Sequence, residues 1–457
     1  MQTTISSTPR WIRGILLSVV CLMKTSGAEA TWVFPAKDWA EATPESRGID
    51  SARLKAAVAD LDRGLSPEGA AELVIIRDGF LIWRGPHCDA YHQIFSCTKV
   101  FTSTVLGLLM DDGKCELADL ATRHLPNLDD EHPQYARLQL RHLATMTGGY
   151  QGLVRGVSAE QPWGDLLGYL TPQSPRYEAG AACAYHDHDV FLLGNILTRL
   201  AGEPVAAVFK RRIADTIGMT QWDWGIAGVL DNGLPLNNVA GTPSRSPGIQ
   251  TSARELARFG HLFLSRGLWN GQRLLSASFI EQATSTQVSA SLPHASGADP
   301  AGHYGFYWWT NGRQRSGTQP WPDAPPGTYA AQGGSGNFCF VIPEWTMVVV
   351  RLGTNALTRS AKTDDLWNKF FGQVGGAMET RAHAAIPTAV RVSSRVVIKM
   401  GVRGGRAQTR VFDRAADGEV VKALPIVAGQ TECPVQHVIE IAADPGAAHP
   451  GGLGRQI

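Results

Sequence analysis

Strand-like segments occur in two groups, one near each end of the chain, and the long stretch between them shows none. Near the start, residues 73–76 and 80–83 are apolar and rich in β-formers, and Asp78-Gly79 between them is a strong hairpin signal. Near the end, residues 304–309 are strand-like and residues 338–352 predict a second hairpin. Distant strands share one core by joining one sheet, so the pattern predicts an α+β fold with an antiparallel sheet.

Helical periodicity dominates the segments around and between these strands. The predicted helices are residues 50–64, 96–112, 190–200 and 363–374. From about 115 to 235 the sequence offers helices and loops but no clear strands. We therefore predict helices flanking the sheet, an all-helical lobe at about 115–235, and a functional site in the cleft between the two lobes.

The net charge of the chain limits its possible partners, and its length limits the number of domains. Lys and Arg number 42 against 41 Asp and Glu, so the formal net charge is +1, which argues against nucleic acid as a partner. A chain of 457 residues is long for one domain, which predicts a large domain at about 31–375. Residues 376–457 are rich in Ala, Gly and Arg, and we interpret them as a small accessory β module or a disordered tail.

The first thirty residues have the composition of an export signal. Arg10 and Arg13 precede an apolar run at 15–23, and Ala28-Glu29-Ala30 offers a small-x-small cleavage site. The run is short for a helix that spans a bilayer, which favours cleavage over a retained membrane anchor. We expect an exported protein, periplasmic or secreted, with no membrane contact after cleavage.

Six cysteines remain after such a cleavage, and none forms a Cys-x-x-Cys pair. The sequence therefore indicates neither a structural zinc site nor a thioredoxin-like motif. Because a core of this size needs no disulfide to fold, buried free thiols are expected for most of them.

Ser96 and Lys99 form a Ser-x-x-Lys motif at the start of a predicted helix. Residues three apart lie on one helical face, so the hydroxyl and the amine can touch. A serine hydroxyl becomes a nucleophile when a neighbouring base takes its proton, and the helix N-terminus favours the negative charge that develops there. Taken alone the motif is weak evidence, because a capped surface helix gives the same pattern.

Two further segments, in the same order along the chain, strengthen this interpretation. Tyr185 lies just before the helix at 190–200, where its hydroxyl could relay a proton between Lys99 and a leaving group. The Gly-rich segment Gln332-Gly333-Gly334-Ser335 runs into the predicted strand at 338–342. Glycines at a strand edge allow a substrate close to the backbone, where an N–H group could complete an oxyanion hole.

At this point residues 31–375 resemble the serine β-lactamases, penicillin-binding proteins and related esterases, above all class C β-lactamases and family VIII carboxylesterases. Connecting segments carry the resemblance too, including residues 44–50, 141–149 and 247–260. The resemblance implies a β-lactamase/transpeptidase-like fold. It also implies a serine hydrolase that acts through an acyl-enzyme on an ester or amide, which water then releases.

The resemblance also implies roles for single residues. Ser96 would attack the carbonyl, Lys99 and Tyr185 would move its proton, and the N–H groups of Ser96 and Ser335 would bind the oxyanion. Gln332, Gly333, Gly334 and Asp187 would line the substrate site. The expected partner is a small-molecule or peptide-like ester or amide, and no metal or organic cofactor is implied.

This chain departs from the family pattern at two positions. The usual Tyr-x-Asn is Tyr185-His186-Asp187, which replaces a neutral amide by a carboxylate. A carboxylate close to Lys99 would favour its charged form and shift the role of base towards Tyr185. The usual Lys-Thr-Gly is replaced by Gln332-Gly333-Gly334, so the cation for a substrate carboxylate is missing, which favours neutral esters or amides over penicillins.

Other functions compete with this one. The run His186-Asp187-His188-Asp189 offers four metal ligands, but adjacent side chains at a helix start point apart, which argues against a metal site. A degenerate relative that binds a ligand, or is acylated once without turnover, is the main alternative. An α/β-hydrolase is disfavoured because no Gly-x-Ser-x-Gly elbow follows a strand.

Cys97, beside Ser96, suggests a thiol nucleophile as another alternative. On a helix, however, its side chain projects about 100° away from that of Ser96, so we expect it to pack in the core.

Overall fold

The computed structural model describes residues 32–65, 67–130, 132–149, 166–170, 174–295, 297–354 and 361–378. It divides the chain into a unit Thr31–Ala384 and a second unit, of which it describes the backbone of four strands. The predicted export signal lies outside the described residues.

The α-helices and strands of the first unit occur in groups along the chain. The described helices are α1 (Ser51–Gly64), α2 (Thr98–Asp111), α3 (Leu140–Ala144), α4 (Asp187–Ala201), α5 (Val205–Phe209), α6 (Asp215–Ile217), α7 (Ala253–Leu264), α8 (Ala277–Ala283) and α9 (Ala361–Ala377). The described strands are β1 (Leu73–Arg77), β2 (Phe80–Arg84), β3 (His92–Gln93), β4 (Trp222–Trp224), β5 (Ile226–Val229), β6 (Pro235–Asn237), β7 (Ile249–Thr251), β8 (Leu268–Trp269), β9 (Gln272–Arg273), β10 (Trp309–Thr310), β11 (Tyr329–Gly333), β12 (Asn337–Ile342) and β13 (Met347–Arg351).

A six-stranded antiparallel sheet in the order β10-β11-β12-β13-β1-β2 unites the two ends of this unit. Strand β13 pairs with β12 on one side and with β1 on the other, with Leu73 opposite Arg351. The two hairpins predicted from the sequence therefore lie side by side, and the predicted antiparallel sheet is confirmed.

Local signals explain where the main elements begin and end. The Asp50 side chain accepts a hydrogen bond from the Arg53 N–H and caps α1. Asp78 and Gly79 have φ of 51° and 82°, the left-handed conformation that a two-residue hairpin turn requires. Gly202, with φ of 72°, ends α4 as predicted.

Each face of the sheet is covered by helices. Side chains alternate between the two faces of a strand. On one face, Cys339 and Val348 lie against Gly260 of α7. On the other face, Phe338 and Phe340 contact the ring of Trp367 in α9. Helix α7 also supports α2, because the Phe101 ring stacks on Phe259 at 4.2 Å between centroids.

Two expectations from the sequence are wrong in detail. The middle of the chain is not all helical, because β4 and β5 lie within 115–235; β4 pairs with the distant strand β7, which a three-residue segment does not reveal. Residues 304–309 are not one strand, since only Trp309 and its successor form β10. Tyr307 has φ of 65°, so this aromatic run is a buried turn rather than an extended segment.

The described cysteines are Cys88, Cys97, Cys115, Cys183 and Cys339, and all five are buried free thiols. This agrees with the expectation from the sequence. No single helix among the described residues has the length and apolarity to cross a membrane; only the bent pair formed by α4 and residues 205–217 meets the criterion, on length and composition alone.

The second unit contains a four-stranded sheet in the order β16-β15-β14-β17. Its strands are β14 (Arg395–Arg403), β15 (Arg406–Arg414), β16 (Val420–Leu424) and β17 (Ile439–Ile441). The predicted domain boundary near 375 falls inside α9, which continues to Ala377. An accessory role for the region after it stays a prediction.

Candidate active site

Ser96 lies in a short 3-10 turn, Phe95–Cys97, that leads directly into α2. The first N–H groups of a helical turn have no partner within the helix, and here the Cys97 N–H donates to the Ile94 carbonyl oxygen at 3.2 Å. Phe95 has φ of 49°, an unusual conformation for a residue with a side chain. The turn therefore presents a partly exposed hydroxyl, while Cys97 and Lys99 are buried.

Glycines enclose this turn on two sides. A Cβ atom on Gly333 would lie 2.2 Å from the Ile94 carbonyl oxygen, and one on Gly241 would lie 1.9 Å from the Phe95 carbonyl oxygen. On the same side as Gly241, a Cβ on Gly248 would lie 2.4 Å from Thr98 Oγ1. The backbone can approach the turn this closely only where no side chain intervenes.

We expect Gly241→Ala to lower the free energy of unfolding more than Gly113→Ala does. Both glycines have φ of 68°, so alanine meets the same backbone cost of about 1–2 kcal/mol at either position. A Cβ on Gly113 meets nothing within 4 Å, whereas on Gly241 it collides with the Phe95 carbonyl, which adds roughly 1–3 kcal/mol. Urea unfolding measures both values. Equal losses would show that the close approach to the turn is not a constraint.

The Lys99 ammonium donates to three acceptors. Its Nζ lies 3.0 Å from Ser96 Oγ, 2.7 Å from the Ala240 carbonyl oxygen and 2.8 Å from Asp187 Oδ1. An ammonium has three N–H donors and no acceptor, so these contacts fit its charged form. Lys99 is 1% exposed, so water does not compete for these hydrogen bonds.

Opposing effects set the pKa of Lys99. Burial, the largest effect, lowers it, but the charge of Asp187, the neighbouring Tyr185 and the hydrogen bond to Asp187 together outweigh burial and hold the pKa above its ordinary value. For Asp187 burial raises the pKa, yet Lys99 and a 2.6 Å hydrogen bond donated by Thr242 Oγ1 hold it below its ordinary value. The two groups therefore form an ion pair, as the carboxylate at this position led us to expect.

Tyr185 lies beside this pair. Its ring centroid is 5.1 Å from Lys99 Nζ, and the tyrosine is one of the neighbours that raise the pKa of Lys99. Two aromatic neighbours fix the ring: Trp309 stacks on it at 5.6 Å and Tyr304 meets it edge-on at 6.2 Å. The structure thus brings together Ser96, Lys99, Tyr185 and Asp187.

The histidines around Asp187 are buried in the core. Burial is the main reason that the pKa of His186 falls to about 3 and that of His188 to about 4. Burial also raises the pKa of Asp189 well above its usual range, although its carboxylate accepts a 2.9 Å hydrogen bond from the Gly148 N–H. Within the described ranges, no three His, Cys, Asp or Glu side chains gather as metal ligands would.

The Gly-rich segment divides between the end of β11 and the turn that follows it. Gly333 faces the turn Phe95–Cys97, and a Cβ on Gly334 would lie 3.4 Å from the Phe95 ring. Ser335 follows with φ of 61° in a partly exposed turn, Gly334–Gly336. The backbone of this segment therefore lies against the turn that carries Ser96, as an oxyanion site requires.

Gln332 does not join this site through its side chain. It pairs with Phe338 across the β11–β12 ladder, and directly paired residues point to the same face. That face carries α9, because the Phe338 ring contacts Trp367. The expected place of Gln332 beside the substrate is wrong because neighbouring residues on a strand alternate, and Gly333 is the one that faces Cys97.

Some residues of the site are missing from the sequence-based prediction. The Ala240 carbonyl holds Lys99, Thr242 holds Asp187, and Trp309 holds the Tyr185 ring. Every residue type has a main-chain carbonyl, so the sequence does not reveal which carbonyl accepts a hydrogen bond in the site. The closely spaced Gly241 and Gly248 are the one local signal, because both lie where the chain passes the segment Phe95–Thr98.

An antiparallel sheet flanked by helices, with a buried lysine touching a serine at a helix start, defines the β-lactamase-like class of folds. The chain belongs to the Beta-lactamase family, whose model matches residues 56–370. The β-lactamase/transpeptidase-like fold predicted from the sequence is thereby confirmed.

Relatives within the family are distant. A β-lactamase of Pseudomonas fluorescens is 24% identical over 177 residues, covering 36% of this chain and 49% of its own length. A 6-aminohexanoate-dimer hydrolase of Paenarthrobacter ureafaciens is 22% identical over 268 residues, covering 52% of this chain and 65% of its own. A penicillin-binding protein homologue from Caulobacter crescentus has a similar structure, with a TM-score of 0.54, 14% identity, and coverage of 71% of this chain and 99% of that one.

Proposed function

We propose that this protein is a serine hydrolase that cleaves a neutral ester or amide through an acyl-enzyme on Ser96. The observation that carries the proposal is the 3.0 Å contact between Ser96 Oγ and the buried Lys99 ammonium at the start of α2. A lysine held 1% exposed against a serine hydroxyl is costly to bury, and its charge lies where negative charge develops on the attacking oxygen.

In this mechanism Lys99 acts through its charge and Tyr185 takes the proton. The three N–H donors of Lys99 are committed to Ser96, Ala240 and Asp187, so Lys99 has no lone pair to offer the hydroxyl. Tyr185, whose ring lies 5.1 Å from Lys99 Nζ, would accept the Ser96 proton in its phenolate form and, as the resulting phenol, donate that proton to the leaving group. The N–H groups of Ser96 and Ser335 bind the oxyanion, and water later attacks the acyl carbonyl to free Ser96.

Neutral substrates fit the charges of the site. The charge of Lys99 is balanced by Asp187 at 2.8 Å, and Gln332 brings neither a cation nor its amide to the cleft. A substrate carboxylate would therefore find no unmatched positive charge among the described side chains that contact the Ser96–Lys99 pair. The name of the relative from Paenarthrobacter ureafaciens, a 6-aminohexanoate-dimer hydrolase, supports including amides with esters.

A panel of four substrate classes tests the proposal. We expect turnover of p-nitrophenyl esters or of small amides, and much weaker turnover of a chromogenic cephalosporin or of D-amino-acid peptides with a free carboxylate. Mass spectrometry of acid-quenched reactions should find the acyl group on the tryptic peptide that contains Ser96. Acylation of another residue, or no acylation by any class, would contradict the proposal.

We expect Asp187→Asn to change kcat/KM at neutral pH by less than about tenfold, or about 1.4 kcal/mol, and to move the alkaline limit of activity to lower pH. The carboxylate holds the pKa of Lys99 above its ordinary value, so its loss lets burial lower that pKa and the ammonium is lost earlier as pH rises. A pH profile of kcat/KM measures the shift. Asp231→Asn, the same change at an exposed ion pair with Arg199, should leave the profile unchanged.

The opposite result would identify a different base. If neutral Lys99 were the base, Asp187→Asn would raise activity at neutral pH by orders of magnitude, because more of the amine would be unprotonated. That gain would exclude Tyr185 as the group that takes the Ser96 proton.

A protein that is acylated once without turnover is the second candidate, favoured by the Lys99–Asp187 ion pair. If charged Lys99 supports attack by Ser96 but the site activates water poorly, p-nitrophenol would appear as a burst equal to the enzyme concentration. Steady release after the burst would support the hydrolase over this alternative.

A further inference from the structure

Three consecutive carbonyl groups of the turn at Ser335 are each held by a buried side chain. Asn337 Nδ2 donates to the Gly334 carbonyl oxygen at 2.6 Å. Arg351 Nη1 donates to the carbonyl oxygens of Ser335 and Gly336 at 2.9 Å and 3.0 Å. No residue of the turn therefore has a carbonyl free to rotate.

Holding these carbonyls also fixes the amide groups. A trans peptide unit is planar, so its N–H points opposite to its C=O. The carbonyl of Gly334 belongs to the same peptide unit as the N–H of Ser335, the proposed oxyanion donor. The hydrogen bond from Asn337 therefore sets the direction of that N–H group, and Arg351 sets the two peptide units that follow.

The turn needs such restraint. Ser335 has φ of 61°, a left-handed conformation that costs a residue with a Cβ about 1–3 kcal/mol and persists only when its surroundings impose it. Without the two side chains, a turn containing Gly334 and Gly336 could relax to conformations that point the N–H elsewhere.

Both side chains are themselves anchored in the sheet. Asn337 is fully buried at the start of β12, and its Oδ1 accepts a 3.0 Å hydrogen bond from the Gly353 N–H. Arg351 is fully buried at the end of β13, where its Nε donates to the Gly69 carbonyl oxygen at 3.0 Å and Glu68 lies 3.9 Å from Nη2. The main-chain carbonyl of Asn337 also accepts a hydrogen bond from the Cys97 thiol at 3.5 Å, which joins the turn to the nucleophile segment.

We propose that Asn337 and Arg351 are positioning residues that orient the Ser335 N–H towards the oxyanion formed at Ser96. This inference rests on the proposed hydrolase function. It assigns to two side chains that touch no substrate the task of keeping the oxyanion hole assembled before the reaction begins.

Asn337→Asp is the sharpest test, because the carboxylate keeps an acceptor for the Gly353 N–H but cannot donate to the Gly334 carbonyl. We expect kcat for p-nitrophenyl butyrate to fall about 10²–10³-fold, the effect of losing one oxyanion donor, with KM changed less than about threefold. Phenylboronic acid, whose tetrahedral adduct with a serine needs the same donor, should bind at least about tenfold more weakly.

Asn311→Asp is the matched control. Asn311 is also a buried carboxamide whose Nδ2 donates to the carbonyl oxygen of Trp321 and whose Oδ1 accepts from the Trp321 N–H. Both variants should lose stability in thermal unfolding, but Asn311→Asp should keep kcat within about threefold of wild type. Equal effects of the two variants on kcat would overturn the inference, as would a rise in KM with kcat unchanged.

Arg351→Ala gives an independent measurement. We expect its kcat to fall and to be restored in part by millimolar guanidinium chloride, which can occupy the vacated site, while ethylammonium chloride at the same concentration restores less because it lacks the planar fork. Absence of any rescue in a folded variant with reduced kcat would remove Arg351 from the proposal.

Labelling of Ser96 by a fluorophosphonate distinguishes a failure of the proposed hydrolase function from a failure of the proposed positioning role. If wild type is not labelled, the hydrolase function and the inference fall together. If wild type and Asn337→Asp are labelled at the same rate, the function stands and the positioning role is refuted.

Discussion

Replacing Ser96 by alanine is expected to reduce kcat/KM for any ester or amide that the protein turns over by at least about 10³-fold. The change removes the oxygen that forms the acyl bond, while the oxyanion donors and the Lys99 charge stay in place. It takes one acceptor from the buried Lys99 ammonium, so the free energy of unfolding should fall by about 1–3 kcal/mol. Steady-state kinetics and urea unfolding of the same preparation give both values.

Ser103→Ala is the control for this variant. Ser103 lies on the same helix, is fully buried and undergoes the same chemical change, so its kinetics should match those of the wild type. If Ser96→Ala kept substantial turnover, another nucleophile would have to act. The adjacent Cys97 is poorly suited to do so, because burial raises the pKa of its thiol well above its ordinary value.

Lys99→Met is expected to lower both activity and stability. Turnover should fall by at least about 10³-fold, because the charge that supports attack by Ser96 is lost. The free energy of unfolding should fall by about 3–5 kcal/mol, because the Asp187 carboxyl group, only 14% exposed, loses its partner at 2.8 Å.

The double variant Lys99→Met, Asp187→Leu separates these two effects. It removes both charges and fills the site with apolar groups, so much of the lost stability should return while activity stays absent. Thermal unfolding of the two single variants and the double variant gives the coupling energy. If Lys99→Met alone unfolded at the wild-type temperature, the ion pair would not contribute to stability as a buried unit.

Short-range signals in the sequence suffice for the parts of this fold that depend on neighbours along the chain. Asp78-Gly79 defines a hairpin by its backbone preference, and Ser96 and Lys99 meet because residues three apart share a helical face. These contacts are encoded within a few residues and need no partner from elsewhere.

Features that depend on distant partners could not be predicted in this way. Residues 222–224 form strand β4 because they pair with the distant strand β7. The Gln332 side chain lies on the opposite face of the sheet from Gly333, because β11 pairs with β12 in a register that places Gly333 against Cys97. The carbonyl of Ala240 and the side chain of Arg351 act from positions far from Ser96 in the sequence. Their roles follow only from the packed structure.

The order of strands in the central sheet also bears on how the molecule folds. Strand β1 lies between β2 and β13, so the sheet is complete only after residue 351 has joined Leu73. Pairings across such long sequence separations form slowly, since much chain entropy is lost before they contribute stability. A nascent chain that stops before β13 would leave one edge of β1 unpaired and exposed to aggregation until synthesis reaches the last strand.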